Sequence, residues 1–186
     1  MSRSVLVIHG AGEPRRRGGK VYWEPMLGEA LGPEYRVQAP RMPQPTNPRY
    51  QIWAGRIAQL IDAEASPVLV GHSFGASVLL KYLAEAAARP SFAGLFLIAT
   101  PFWSPDFPEF ALPPDFESRL RDASPVYLYH SRDDPEIPFE HLERYSRALP
   151  QAVVRRLDGR GHEFNQEQFP ELVADIRGLR STGRSV

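Results

Sequence analysis

Three side chains in this sequence have the types and the chain order needed to cleave an acyl bond: a serine, then a carboxylate, then a histidine. The serine lies in Gly71-His72-Ser73-Phe74-Gly75, a G-x-S-x-G. A serine hydroxyl is a weak nucleophile until a neighbouring base takes its proton. This motif presents one on a tight, strained turn between a strand and a helix. Glycines two residues to either side remove the Cβ atoms that would collide where strand and helix cross. The bare pattern also arises by chance as an ordinary glycine-rich turn. Here Pro67-Val68-Leu69-Val70 reads as a strand before it, and Ala76–Ala88 as an apolar-striped helix after it. That context favours a nucleophile at Ser73.

The base must come from five histidines. When the acid and base follow the nucleophile along the chain, as they do behind such an elbow, His9 and His72 come too early. His130 ends a predicted strand and His141 falls inside a predicted helix. His162 follows the last predicted strand in Leu157-Asp158-Gly159-Arg160-Gly161-His162, where two glycines let a loop swing over the strand ends. For the acid, Ser131-Arg132-Asp133-Asp134-Pro135-Glu136-Ile137-Pro138 follows another strand, and position alone leaves Asp133 and Asp134 both open. Asp158 reads more simply as a turn residue. An oxyanion needs two N–H donors. The amide of Phe74 is one, and the loop His9-Gly10-Ala11-Gly12 offers the other, with Ala11 first and Gly12 close behind. Such chemistry needs no metal and no cofactor.

These groups must be positioned by a scaffold. Strands are expected at Ser4–His9, Tyr35–Gln38, Pro67–His72, Ala93–Ile98, Val126–His130 and Ala152–Leu157. Several are nearly continuous apolar runs, as strands covered on both faces should be. Between and after them the spacing predicts helices over Trp23–Leu31, Tyr50–Ala65, Ala76–Ala88, Glu140–Leu149 and Pro170–Leu179. Alternating units of this kind build a three-layer α/β domain around a mostly parallel sheet of about six strands. Ligands then sit at the carboxyl ends of the strands, where every candidate above falls. Two loops stand out. Residues 10–19 are rich in glycine and arginine. Residues 100–114 carry five prolines among Phe102, Trp103, Phe107 and Phe110, too many for a long helix, and read as an irregular flap. Phe102, Trp103, Phe107, Phe110 and Phe164 are candidate pocket residues, with core packing as the competing reading. Trp53 reads as core, while Tyr22 and Trp23 fit either role.

Composition narrows the function classes. The chain has 186 residues, 42% hydrophobic and 24% charged, consistent with one domain over residues 1–186. Formal net charge is zero, so no global field draws it to nucleic acid or an anionic membrane. Arg15-Arg16-Arg17 reads as a solvated loop. With no cysteine, a thiol nucleophile, disulfides and Cys-ligated zinc are excluded. No apolar run reaches spanning length, and a cytoplasmic location is the expectation.

Taken together, the sequence resembles the small α/β-hydrolases grouped with retinoblastoma-binding protein 9 and the YdeN-like serine hydrolases. The likeness spans nearly the whole chain. It rests on the His9-Gly10 loop, Met42-Pro43-x-Pro45 followed by Trp53, Gly71-His72-Ser73-x-Gly75-Ala76, Asp133-Asp134-Pro135-x-x-Pro138 and Gly161-His162-x-x-Asn165. The resemblance implies a compact fold without a large cap domain, and it selects the second aspartate, Asp134, as the acid. It implies hydrolysis of a small-molecule acyl substrate: an ester, a thioester or an amide. The runner-up is a non-catalytic or moonlighting protein-binding module on the same scaffold, since a fold does not fix a function. A dehalogenase is disfavoured, because it would want aspartate at the elbow. Residues 100–114, rich in proline and aromatics, do not match the family residue by residue, so specificity is not carried over.

Overall fold

The structure, a computed structural model, describes residues 2–88, 90–123, 125–164 and 168–179. Six parallel strands form its centre: β1 (Arg3–Ile8), β4 (Tyr35–Gln38), β5 (Val68–His72), β6 (Gly94–Ile98), β7 (Val126–Ser131) and β8 (Val153–Leu157). They lie side by side in the order β4-β1-β5-β6-β7-β8. The helices are α1 (Trp23–Leu31), α2 (Tyr50–Asp62), α3 (Phe74–Glu85), α4 (Phe116–Leu120), α5 (Glu140–Ala148) and α6 (Pro170–Gly178).

Strand periodicity assigns each side chain to a layer. Leu6, Ile8, Leu69, Leu95 and Leu97 join Trp53, Ile57, Leu79, Leu142 and Tyr145 in one apolar cluster, under α2, α3, α4 and α5. The alternate residues Val5, Val7, Val68, Val70, Phe96 and Ile98 join Trp23, Leu27, Leu172 and Ile176 in the other, under α1 and α6. Both faces are therefore covered, and every residue of β5 and β6 is buried. The edge strand β8 carries Arg155 and Arg156, which pair with Asp175 and Glu143. Charge on an open edge discourages pairing with another chain.

Helices α2 and α3 end three residues earlier than the sequence reading has them, and three further differences bear on the site. The Gly-Arg-rich loop folds back as a small antiparallel ribbon, β2 (Arg16–Arg17) with β3 (Lys20–Val21). Helix α4 appears beyond the proline-rich segment, too short to leave a periodic signal. Helix α3 begins at Phe74, directly after the serine, two residues earlier than the apolar stripe suggests. Residues 100–114 form the irregular flap expected of their prolines.

Candidate active site

Strands β1 and β5 pair with Val5 beside Val68 and Ile8 beside Gly71, so their following loops emerge together. Gly71, Ser73 and Gly75 then make the turn into α3. Ser73 sits at φ 52°, ψ −126°, a left-handed conformation costly for any residue but glycine. Its amide donates to the carbonyl of Ile98 at 2.8 Å, which ties the turn to β6. Room for the turn depends on missing side chains: a Cβ on Gly71 would lie 2.5 Å from the Cα of Ala76.

His162 hangs over this turn. Its Nε2 lies 2.9 Å from Ser73 Oγ, and its Nδ1 lies 2.9 Å from Asp134 Oδ2 and 3.1 Å from Oδ1. A carboxylate only accepts, so Nδ1 carries the hydrogen and Nε2 is left to accept from the serine hydroxyl. The Asp134 side chain is fully out of contact with solvent. Burial works against its charge. The amides of Ile137 and Glu136, each 2.9 Å from Oδ1, and the His162 imidazole outweigh that penalty and hold the carboxyl below the usual carboxylate range.

Asp133, the other candidate acid, turns the opposite way. Its Oδ1 accepts from the Ser131 hydroxyl, from the Gly159 amide at 2.9 Å and from the Gly161 amide at 3.4 Å. It fastens the loop that carries His162. Asp158 points outward and pairs with Arg132 at 3.0 Å. On the far side of the loop, His72 Nε2 donates to the His162 carbonyl at 2.9 Å.

The amide of Ala11 lies on the loop after β1, and that of Phe74 lies at the first position of α3, where helical N–H groups lack intrahelical partners. Gly12 is committed elsewhere, its amide donating to the Pro45 carbonyl at 2.7 Å. The segment around Pro45 braces this loop once more and is itself anchored by Trp53. Met42 donates its amide to His9 Nε2 at 2.9 Å, and Trp53 donates its indole N–H to Pro43 at 2.7 Å. Met42-Pro43-x-Pro45 and Trp53 are thus bonded into one unit with the His9-Gly10 loop.

The candidate pocket residues require correction. A cavity of about 280 Å³ opens beside Ser73 and His162, and its apolar wall is Val21, Tyr22 and Trp23. Phe102, Trp103, Phe107, Phe110 and Phe164 are not among its lining residues. Trp103 and Phe110 pack edge-on against the ring of Phe74 on the α2–α3 side of the sheet, and Phe107 packs on Trp103. Phe102 lies against Phe116 and Tyr145, with Arg144 stacked 3.9 Å over its ring. Phe164 is buried under the opposite face, stacked on Phe169. The flap aromatics thus fill the layer beneath the flap, and the ribbon β2–β3 shapes the cavity. Asn165 lies outside the described residues.

Glu13, Arg15, Glu136 and Glu163 stand around the cavity. Ligand atoms of Glu136, His162 and Glu163 lie within 4.8 Å of one another. A cation held there would occupy the nitrogen lone pair that Ser73 needs.

Four histidines, His9, His72, His130 and His141, are held below the ordinary imidazole value, each chiefly by burial; His72 is pushed down to about 4. The unfolded chain takes up these protons near the ordinary imidazole value of 6.5 and the folded chain does not. Their contribution to stability is complete above that pH and is lost as pH falls toward the folded values. His72 alone should remove roughly 2 kcal/mol between pH 7 and pH 5. Urea midpoints measured across that range should fall steadily on the acid side; a flat profile would contradict the neutral, buried assignment.

A parallel sheet covered on both faces, with a serine on a left-handed residue between its central strand and the next helix, defines an α/β-hydrolase fold. The serine hydrolase family model matches residues 5–178, and the chain belongs to that family. It is 24% identical over 182 residues to the YdeN protein of Bacillus subtilis (strain 168), covering 92% of each chain. It is 23% identical over 155 residues to serine hydrolase RBBP9 of Rattus norvegicus, covering 79% of each. The crystal structure of the B. subtilis YdeN product superposes with a TM-score of 0.77 at 18% identity, over 96% of this chain and 98% of that one. A thioesterase domain from the curacin biosynthetic pathway superposes with a TM-score of 0.71 at 16% identity, over 95% and 91%. Among the described residues no helix is long and apolar enough to cross a membrane.

Proposed function

We propose that this serine hydrolase cleaves a small carboxylic ester, thioester or amide through an acyl-enzyme on Ser73. His162 takes the serine proton as Oγ attacks the carbonyl carbon, and passes it to the leaving group as the tetrahedral intermediate collapses. Asp134 holds the imidazole in the required tautomer and stabilises the imidazolium. The amides of Phe74 and Ala11 receive the oxyanion. Water, activated by the same imidazole, then releases the acid. The observation that carries this reading is the continuous run of hydrogen bonds from Asp134 through His162 to Ser73 Oγ, with separations of 2.9 Å at each end of the ring.

The cavity beside Ser73 supports short acyl groups. Among the described residues its larger apolar contributions are Pro14, Val21, Tyr22 and Trp23, and the flap aromatics that would extend it are packed against Phe74 and α5 instead. A fluorophosphonate probe should label the wild type and leave Ser73→Ala unlabelled; equal labelling of the two overturns the assignment. In a p-nitrophenyl ester series, acetate and butyrate should turn over at least about tenfold faster than decanoate, since a chain that finds no pocket gains no binding energy for the transition state.

A further inference from the structure

We infer that His130 is a positioning residue for this reaction, its Nε2–H lodged between the Asp134 carboxylate and the Ile137 carbonyl so that Asp134 stays aimed at His162. The inference rests on the reading of Ser73, His162 and Asp134 as the reacting set. His130 falls outside every motif that marks the site in the sequence. It sits near the end of β7 with a side chain 1% exposed. Its Nε2 is 3.0 Å from Ile137 O and 3.2 Å from Asp134 Oδ2. Both neighbours only accept, so Nε2 must carry the hydrogen, in the neutral ring as in the charged one.

The geometry shows why this matters. Asp134 Oδ1 is held by two backbone amides, of Glu136 and Ile137, and these form a hinge. About that hinge the other oxygen, which receives Nδ1–H of His162, is free to swing unless something fixes it. His130 Nε2, 3.2 Å away, is the second ring nitrogen set against Oδ2. By also holding the Ile137 carbonyl, it closes the turn of residues 134–137 on itself. A buried polar ring at this position loses its hydration, and a leucine would avoid that cost. The other histidines outside the reacting set have separate tasks: His9 receives the Met42 amide, His72 holds the His162 carbonyl, and half-buried His141 receives the Phe102 amide at 2.9 Å. The titratable groups that act on His130 are Asp134 and His162, and His130 in turn acts on His141 from α5. The edge of Phe139 covers the ring, with centroids 5.7 Å apart.

Three variants test this. His130→Met keeps the volume and removes the donor; His130→Gln keeps an N–H at the reach of Nε2; His130→Asn has an amide too short to reach Asp134. Steady-state turnover of p-nitrophenyl acetate should show kcat lowered about tenfold or more in the Met and Asn variants, with KM within about twofold of wild type. The Gln variant should stay within about threefold of wild type. The downfield proton resonance of the His162–Asp134 hydrogen bond should persist in Gln and broaden or move in Met and Asn. If the Met variant does not fold, the contrast between Gln and Asn decides. Folded donor-less variants as active as wild type, or Gln and Asn equally impaired, would overturn the inference. Ser73→Ala runs alongside: retained activity there overturns the hydrolytic reading itself, whereas an inactive Ser73→Ala beside unaffected His130 variants removes only the role of His130.

Discussion

Replacing His162 with alanine should lower kcat/KM for p-nitrophenyl acetate by at least about a thousandfold, and Ser73→Ala should do at least as much. Combining the two should cost little beyond the larger single loss. The reason is that hydroxyl and imidazole act as one device. With no base 2.9 Å away, the Ser73 hydroxyl keeps its proton and is a poor nucleophile; with no hydroxyl, the imidazole has nothing to activate. What survives either loss is the binding and oxyanion contribution of the loop amides. His162→Ala leaves the backbone carbonyl that His72 holds, so the loop keeps that tether; the variant should stay folded and lose about 1–3 kcal/mol for the donor withdrawn from the buried Asp134 carboxylate. Losses that multiply in the double variant, or a single loss below about tenfold, would show the two groups working independently and would remove the proposed mechanism.

How far the sequence could carry this site depends on the kind of contact involved. The elbow was legible because its cause is local: the backbone at Ser73 is strained, and Gly71 and Gly75 stand where side chains would meet Ala76 and β1. The sheet was legible for the same reason, since β5 and β6 are buried on both faces and read as unbroken apolar runs. Position did not separate Asp133 from Asp134. The two are neighbours, and which one faces His162 is decided by the turn that directs the Glu136 and Ile137 amides onto Asp134. The resemblance favoured Asp134, and the hydrogen bonds follow the same choice. The flap went wrong differently. Its prolines forbid a helix, but nothing in their spacing says which side the aromatics face, and Phe74 draws Trp103 and Phe110 away from the cavity. The ribbon β2–β3 has two residues per strand, too few for alternation to register, yet Val21 at its end lines the cavity. His130 carries no signal in the sequence, because it closes a strand like any buried residue of β7. Its contacts with Asp134 and Ile137 depend on a turn geometry that periodicity does not report.

Gly75→Ala should be the most damaging methyl addition at any described glycine. A Cβ at that position would stand 2.2 Å from the His9 carbonyl oxygen and 2.6 Å from that of Ile8, both backbone atoms of the β1 exit. Neither is the end of a flexible side chain, so relief requires α3 and the loop after β1 to part. Overpacking of this kind costs about 1–3 kcal/mol where a core can adjust, and here the backbone on both sides is fixed by sheet and helix bonds, so at least about 3 kcal/mol is expected. Activity should fall further than stability alone explains. Phe74 travels with α3 and Ala11 with the β1 loop, so parting them separates the two amides proposed to hold the oxyanion, and loss of one such donor costs about a hundredfold or more. Gly55→Ala provides the contrast. It lies inside α2 with nothing within 4 Å of the added methyl, and should stabilise by about 0.5–1 kcal/mol with unchanged turnover. Denaturant midpoints and kcat/KM measured on both variants decide the matter. If Gly75→Ala melts and turns over like Gly55→Ala, the elbow is not pressed against β1, and the amides of Phe74 and Ala11 are not held together by that contact.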